Sequence, residues 1–223
     1  MTKSNRILVL FAVLGLSVNT MFAQEIGVVI NGVTWATRNV DMPGTLAENP
    51  EDAGMFYQWN REVGWSNTDP LINSNGTSAW ITQPSTEAES WETENDPCPE
   101  GWRVPTIGDF QLLMNTTYVT STWTVENGVK GMNFTDIANS NSIFLPAAGN
   151  RGNSNGALWF SGTAGYYWSS TLVNGTNGAH LMGFSGKEAP HSGSSSLGIG
   201  YCVRCVKDGG DVGINEVSTD TEN

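Results

Sequence analysis

The sequence predicts an α+β domain weighted toward β. Three observations carry that class. One segment, about residues 106–115, combines a helix cap with helical spacing of apolar residues. The text after it breaks into short apolar runs separated by Gly and Asn clusters, which reads as antiparallel strands and large loops. Charged residues are only 14% against a typical share of about 25%, and with 26 Gly the composition favours turns over long salt-bridged helices. At 223 residues and 39% hydrophobic content, the chain is long enough to bury one proper core.

From the N-terminal side, residues 26–40 alternate loosely around Val29, Val33, Trp35 and Val40, and Asn31-Gly32 supplies a turn, so an opening hairpin is expected. A loop-rich stretch follows through Pro43, Pro50, Pro70 and Pro84, studded with Trp59, Trp65, Trp80 and Trp91. Long irregular segments of this kind carry function or pack by their own side chains. Glu87, Glu89, Glu92, Glu94, Asp96 and Glu100 form an acidic run that lacks the spaced Asp-Asn-Gly pattern of a calcium loop and reads as a solvated surface. The helix is then signalled by Thr106 as cap, Asp109 three residues on, and Ile107, Phe110, Leu113 and Met114 on one face. Strands are expected at 144–146, 166–170, 179–184 and 201–206, and no internal repeat is visible.

Lys3 and Arg6 precede an apolar stretch at 7–18, and Met21-Phe22-Ala23 ends on a small residue. This is the layout of a secretory signal over 1–23 cleaved after Ala23, too short for a membrane span. Residues 24–208 are then one domain, secreted, periplasmic or at the cell surface. Residues 209–223, acidic and without aromatics, read as a flexible tail. The net charge is −12, and two units more negative once Lys3 and Arg6 leave with the signal. A field of that sign repels phosphate backbones and anionic lipid, so neither nucleic acid nor membrane insertion is expected.

Five phrases stand in order along the chain: Gly32-Val33-Thr34-Trp35-Ala36-Thr37-Arg38-Asn39-Val40, Cys98-Pro99-Glu100-Gly101-Trp102-Arg103-Val104-Pro105-Thr106, Leu145-Pro146-Ala147-Ala148-Gly149, Gly165-Tyr166-Tyr167-Trp168-Ser169-Ser170 and Tyr201-Cys202-Val203-Arg204-Cys205-Val206. Together they resemble the Fibrobacter succinogenes major paralogous domain of exported proteins from Bacteroidetes-type bacteria, itself similar to the C-terminal domain of Legionella collagen-like proteins. The resemblance spans roughly 26–208. It implies a C-type-lectin-like fold in which the chain ends pair in a sheet and long loops are held by aromatics and a disulfide. Such a fold hosts sugar binding, protein binding and oxidation chemistry, so it does not by itself choose a function.

Three cysteines in an exported chain allow three pairings. Cys202 and Cys205 would point to opposite faces of a regular strand, and Cys98 with Cys205 closes a loop of roughly a hundred residues, worth about 4–5 kcal/mol in the chain-entropy model. The resemblance implies Cys98–Cys205, leaving Cys202 free and buried. Read as a redox pair, Cys202-Val203-Arg204-Cys205 lacks the strand-to-helix setting that lowers a thiol pKa. His180 and His191 stand in no metal-binding pattern, so neither metal nor cofactor is expected. His180 reads as sheet and His191 as a solvated Ser/Gly loop. Gly183-Phe184-Ser185-Gly186-Lys187 misses the second Gly of a nucleophile elbow, and no phosphate-binding loop or zinc-protease helix occurs, so no enzyme is expected.

The functional expectation is an adhesion or recognition module that binds glycan or a surface protein through its loops. The nine Trp and five Tyr offer rigid amphipathic contact area. Trp35, Trp102 and Trp168 read as core, while Trp59, Trp65, Trp80, Trp91, Trp123 and Trp159 lie in or beside loops, two or three of them exposed. The contact patch is placed at Asn150, Arg151 and Asn153 beside Trp159, where amide and guanidinium groups suit sugar hydroxyls. The calcium-lectin phrases Glu-Pro-Asn and Trp-Asn-Asp are missing, since Glu48-Asn49-Pro50 scrambles the first. A structural or accessory subunit of a fimbrial or envelope assembly is the alternative. A third reading is a copper oxidase like the formylglycine-generating enzymes, whose C-terminal cysteines are spaced differently.

Overall fold

The computed structural model describes residues 25–82 and 88–209. The signal read at 1–23, Glu87 of the acidic run and the tail from 210 onward lie outside those residues. Strands β1 (Val28–Ile30) and β2 (Val33–Trp35) form the expected hairpin. Asn31 and Gly32 both take positive φ, 45° and 82°, as the two-residue turn that matches strand twist requires. The Asn31 N–H donates to the Asp136 carboxylate at 2.7 Å, which ties this turn to the middle of the chain.

Strands β3 (Phe56–Tyr57) and β4 (Gly64–Trp65) pair over two residues, and a single 3-10 turn at Thr93–Asn95 precedes β5 (Trp102–Arg103). Helix α1 (Ile107–Leu113) starts where its cap predicts. The Thr106 hydroxyl accepts from the Asp109 N–H, while the Asp109 carboxylate accepts from the Thr106 N–H at 2.7 Å, satisfying two donors reciprocally. Phe110 and Leu113 go into the core, and Met114 already leaves helical geometry.

After the helix come β6 (Val119–Glu126), β7 (Val129–Asp136) and β8 (Ser142–Pro146) in one antiparallel sheet, then the short pair β9 (Asn150–Arg151) and β10 (Leu158–Trp159). Strands β11 (Ala164–Leu172), β12 (Gly178–Ser185) and β13 (His191–Ser196) make a third sheet. Strand alternation puts Tyr167 and Trp168 on opposite faces of β11, and both are fully buried, so that sheet has a core on each side. Met182, Phe184 and Tyr167 join the core beneath α1, whereas Ala179, Leu181 and Trp168 join a second one with Tyr57, Trp59 and Tyr201. The chain then returns as β14 (Val206–Lys207), inserted antiparallel between β2 and β5, so the two ends pair as expected.

Two expectations are corrected. Residues 201–206 are not one regular strand. Their backbone bonds go to separate partners: Tyr201 exchanges bonds with Tyr57, Cys202 with Tyr166 and Trp168, Val203 accepts from Val40, and Cys205 accepts from Ala36. A buried segment passing between two cores must satisfy its polar backbone wherever a partner stands. His191 is not in a loop but heads β13, where a Ser-rich text of weak strand propensity is carried by a six-residue register with β12.

Candidate binding surface

The polar loop that sequence placed as contact patch is divided by the fold. Arg151 is 0% exposed and Asn150 is buried. The Arg151 guanidinium donates from Nε to the Ser66 carbonyl at 2.8 Å, from Nη1 to the Gly156 carbonyl at 2.7 Å and to the Asp69 carboxylate, and from Nη2 to the Thr68 carbonyl and the Ser66 hydroxyl. All five N–H groups are consumed in pinning an irregular segment, so Arg151 has no donor left for a ligand. Asn153 is half-buried, with its side-chain amide donating to the Ser196 hydroxyl and its backbone carbonyl accepting from the Trp80 indole at 2.9 Å.

Trp159 alone of the six loop tryptophans is exposed, at 53%. Trp59, Trp65 and Trp91 are buried, and Trp80 and Trp123 half-buried. The indole N–H groups of Trp59 and Trp91 donate to the Ser169 and Asn95 carbonyls, so these rings fasten loops to the core. The expectation of two or three exposed rings fails for that reason. Trp35, Trp102 and Trp168 are core as read.

Beside Trp159 stands a ring that sequence reasoning missed. Phe160 is 54% exposed at a φ of 58°, the left-handed region that a bulky residue enters only when its surroundings impose it. Here they do. The Phe160 carbonyl accepts from Thr163 N–H at 2.9 Å, Thr163 hydroxyl at 2.8 Å and Ala164 N–H at 3.1 Å. Gly149 lies so close beneath that a Cβ there would sit 2.1 Å from the Trp159 carbonyl oxygen. No signal in the text singles it out, because consecutive aromatics, as at Tyr167 and Trp168, are both buried where a sheet has a core on each side.

The rings continue as a strip that runs from the exposed Trp159 and Phe160 through half-buried Tyr166 down to Tyr201, which is buried. Trp159 and Phe160 are edge to face with centroids 6.3 Å apart, Phe160 and Tyr166 follow at 6.2 Å, and Tyr166 and Tyr201 at 5.3 Å. Tyr166 is opposite Gly183 on β12, which is opposite His191 on β13. The bare Gly183 leaves a floor between the tyrosine ring and the imidazole, since a Cβ there would lie 3.3 Å from each. Burial, with Glu188 adding to it, raises the Tyr166 pKa, so its hydroxyl is a neutral donor and acceptor at physiological pH.

A cleft of about 580 Å³ adjoins the turn that carries Phe160. It is lined by residues 51–53, Asn67 and Thr68, residues 128–130 of the β6–β7 hairpin, Pro146, Ala147 and Ala148, and residues 161–163. The Glu51 carboxylate accepts from the Asn127 amide at 2.8 Å, and the Asp52 carboxylate from the Asn49 N–H at 2.8 Å. Among the described residues Lys130 has no carboxylate partner.

The disulfide is Cys98–Cys205, which leaves Cys202 as the free, buried thiol. Cys202 Sγ contacts the Ala53 carbonyl at 3.5 Å, and burial pushes its pKa up to about 12. Iodoacetamide at pH 8 is therefore expected to leave the native protein unlabelled and to label one cysteine after unfolding; labelling of the folded protein would contradict this burial. His180 is half-buried in β12, with its carbonyl accepting from the Ser169 hydroxyl. Of the acidic run, Asp96 turns inward, accepting from the Cys98 and Val104 N–H groups, and burial raises its pKa. Among the described residues no three of His, Cys, Asp and Glu stand together as a metal site, and no helix is long and apolar enough to cross a membrane. Comparison with protein-family models, curated proteins and solved structures finds no match.

Proposed function

We propose that the chain is an exported, non-catalytic recognition module of C-type-lectin-like architecture, akin to the Fibrobacter paralogous domains, that holds a glycan or surface protein on its exposed aromatic strip. The carrying observation is the pair Trp159 and Phe160, more than half exposed on a backbone held in strain by its neighbours. Large rings kept in solvent on a rigid mount offer binding area with little entropy left to lose. The Cys98–Cys205 disulfide suits an oxidising compartment outside the cytoplasm. In a binding screen of the full chain against glycans and matrix proteins, Trp159→Ala is expected to lower affinity at least tenfold while changing stability by under about 0.5 kcal/mol. Ligand binding that is indifferent to Trp159→Ala would remove the strip from the reading.

A second reading, a subunit of a surface assembly, is favoured by a separate apolar face. Val29, Leu112, Tyr118 and Ile137 are exposed within one hydrogen-bonded neighbourhood, where Asn31 reaches Leu112, Asn141 reaches Val29 and Ile137 N–H donates to Tyr118. A fixed oligomer in size exclusion that Ile137→Asp disperses supports it, and a monomer removes it.

A further inference from the structure

The geometry points to the cleft beside the Phe160 turn as a binding site for a neutral, pyranose-based saccharide. This rests on the recognition reading above, but moves the specific contacts away from the 150–153 loop and names the ligand class. A volume of about 580 Å³ falls in the ordinary range for small-ligand sites, roughly 300–1,000 Å³. A concavity of that size admits sugar rings rather than the flat face of a folded partner.

The lining has the chemistry such a ring needs. Glu51 and Asp52 bring two carboxylates to the lining, acceptors for the vicinal hydroxyls that a pyranose donates in pairs. Lys130 brings to the same lining an ammonium with no ion-pair partner among the described residues, a donor for ring and hydroxyl oxygens. Ser161 adds a hydroxyl that can do either, and Thr163, whose O–H donates to the Phe160 carbonyl, adds an acceptor. Ala147 and Ala148 in the lining carry nothing beyond a methyl group, so no long side chain of theirs fills the cleft. Each carboxylate is already oriented by internal hydrogen bonds, Glu51 by one from the Asn127 amide and Asp52 by two from Asn49, which reduces what binding must order.

Charge selects among saccharides. Two carboxylates and one ammonium line the cleft, and the chain as a whole carries −12, so uronic-acid or sulfated chains meet repulsion. Ser161, which lines the cleft, directly follows Phe160, so their Cα atoms are about 3.8 Å apart. A saccharide longer than the cleft therefore has an exposed aromatic surface at its exit.

The test is titration of the full chain, by calorimetry and by tryptophan fluorescence, with neutral gluco-, manno- and galacto-oligosaccharides, with polygalacturonate oligomers, and with chitosan oligomers. Binding of a neutral series that Glu51→Gln/Asp52→Asn and Lys130→Ala each weaken about tenfold or more, with unchanged melting temperature, is the expected result. Binding that these variants leave intact but Trp159→Ala abolishes overturns the cleft assignment and leaves the aromatic strip standing. Preference for the anionic or the cationic oligomers overturns the ligand class. If no saccharide in the panel binds while a matrix protein is captured through Trp159, the cleft inference falls and the recognition reading survives.

Discussion

Replacing Cys98 and Cys205 together by alanine is expected to lower the unfolding free energy by about 4–5 kcal/mol and the melting temperature by roughly 10–20 °C. The two cysteines are 107 residues apart in sequence, so the bond removes a large loop-closure entropy from the unfolded chain. The folded state makes that constraint matter. β14 is only two residues long, and its ladder to β5 rests on the pairs Val206 with Arg103 and Lys207 with Trp102. Outside the ladder, Asp208 N–H donates to the Gly101 carbonyl, and the Arg103–Asp208 ion pair is long, at 3.8 Å, and largely exposed. A seam this short does not hold a returning chain end by hydrogen bonds alone. Against a typical domain stability of about 5–15 kcal/mol, the loss is a large fraction of the whole. Urea unfolding of the alanine pair, with the disulfide-bonded protein in parallel, measures it. A loss below about 1 kcal/mol would mean that the cores on either side of residues 201–206 hold the end without the bond.

What could be read from the text, and what could not, divides by the range of the interaction. Thr106 with Asp109, and Asn31 with Gly32, are local devices whose geometry is set within four residues, and both formed as expected. Pairing of the ends and the cysteine partnership came from the order of family-like phrases rather than from any local rule. The β6–β7 hairpin was not singled out, although Asn127-Gly128 carries the same turn signal and takes φ values of 47° and 87°. Three of the eight residues of β6 are exposed Thr and Ser, so no apolar run announces it. Arg151 misled because a basic residue among Gly and Asn reads as solvated; only the folded chain reveals the Ser66, Thr68 and Gly156 carbonyls that it satisfies. The cleft was beyond reach for the same reason, since Glu51, Lys130 and Ser161 are brought together only by tertiary structure.

Arg204 is the buried cation on which the two chain halves converge, and Arg204→Met is expected to destabilise the protein by about 3–5 kcal/mol. It is fully buried, yet none of its hydrogen-bond partners is a carboxylate. Nε donates to the Asn39 side-chain oxygen at 2.8 Å, Nη1 to the Ala36 carbonyl at 3.2 Å and Nη2 to the Phe144 carbonyl at 3.1 Å. One planar group thus joins the exit of β2, strand β8 and the C-terminal segment. Burial lowers its pKa, but a guanidinium starts high enough to stay charged. Two effects oppose each other in the methionine variant. Removing a desolvated cation is favourable by several kcal/mol in isolation. Three acceptors are then left dry, each worth about 1–3 kcal/mol, and the charge-assisted bonds that offset the desolvation disappear with them. Because the acceptors are two backbone carbonyls and an asparagine that remain in place, the second effect wins. Arg204→Lys separates charge from geometry: an ammonium keeps the charge but cannot span three acceptors lying in different directions. Burial would depress the lysine pKa below its unfolded value near 10.4, so the unfolded state binds the extra proton. Stability of that variant therefore rises with pH up to about 10, with no such rise from position 204 in the parent protein. Equal stability of parent and Arg204→Met in urea would show that the three acceptors find other donors and that the guanidinium is not what joins these segments.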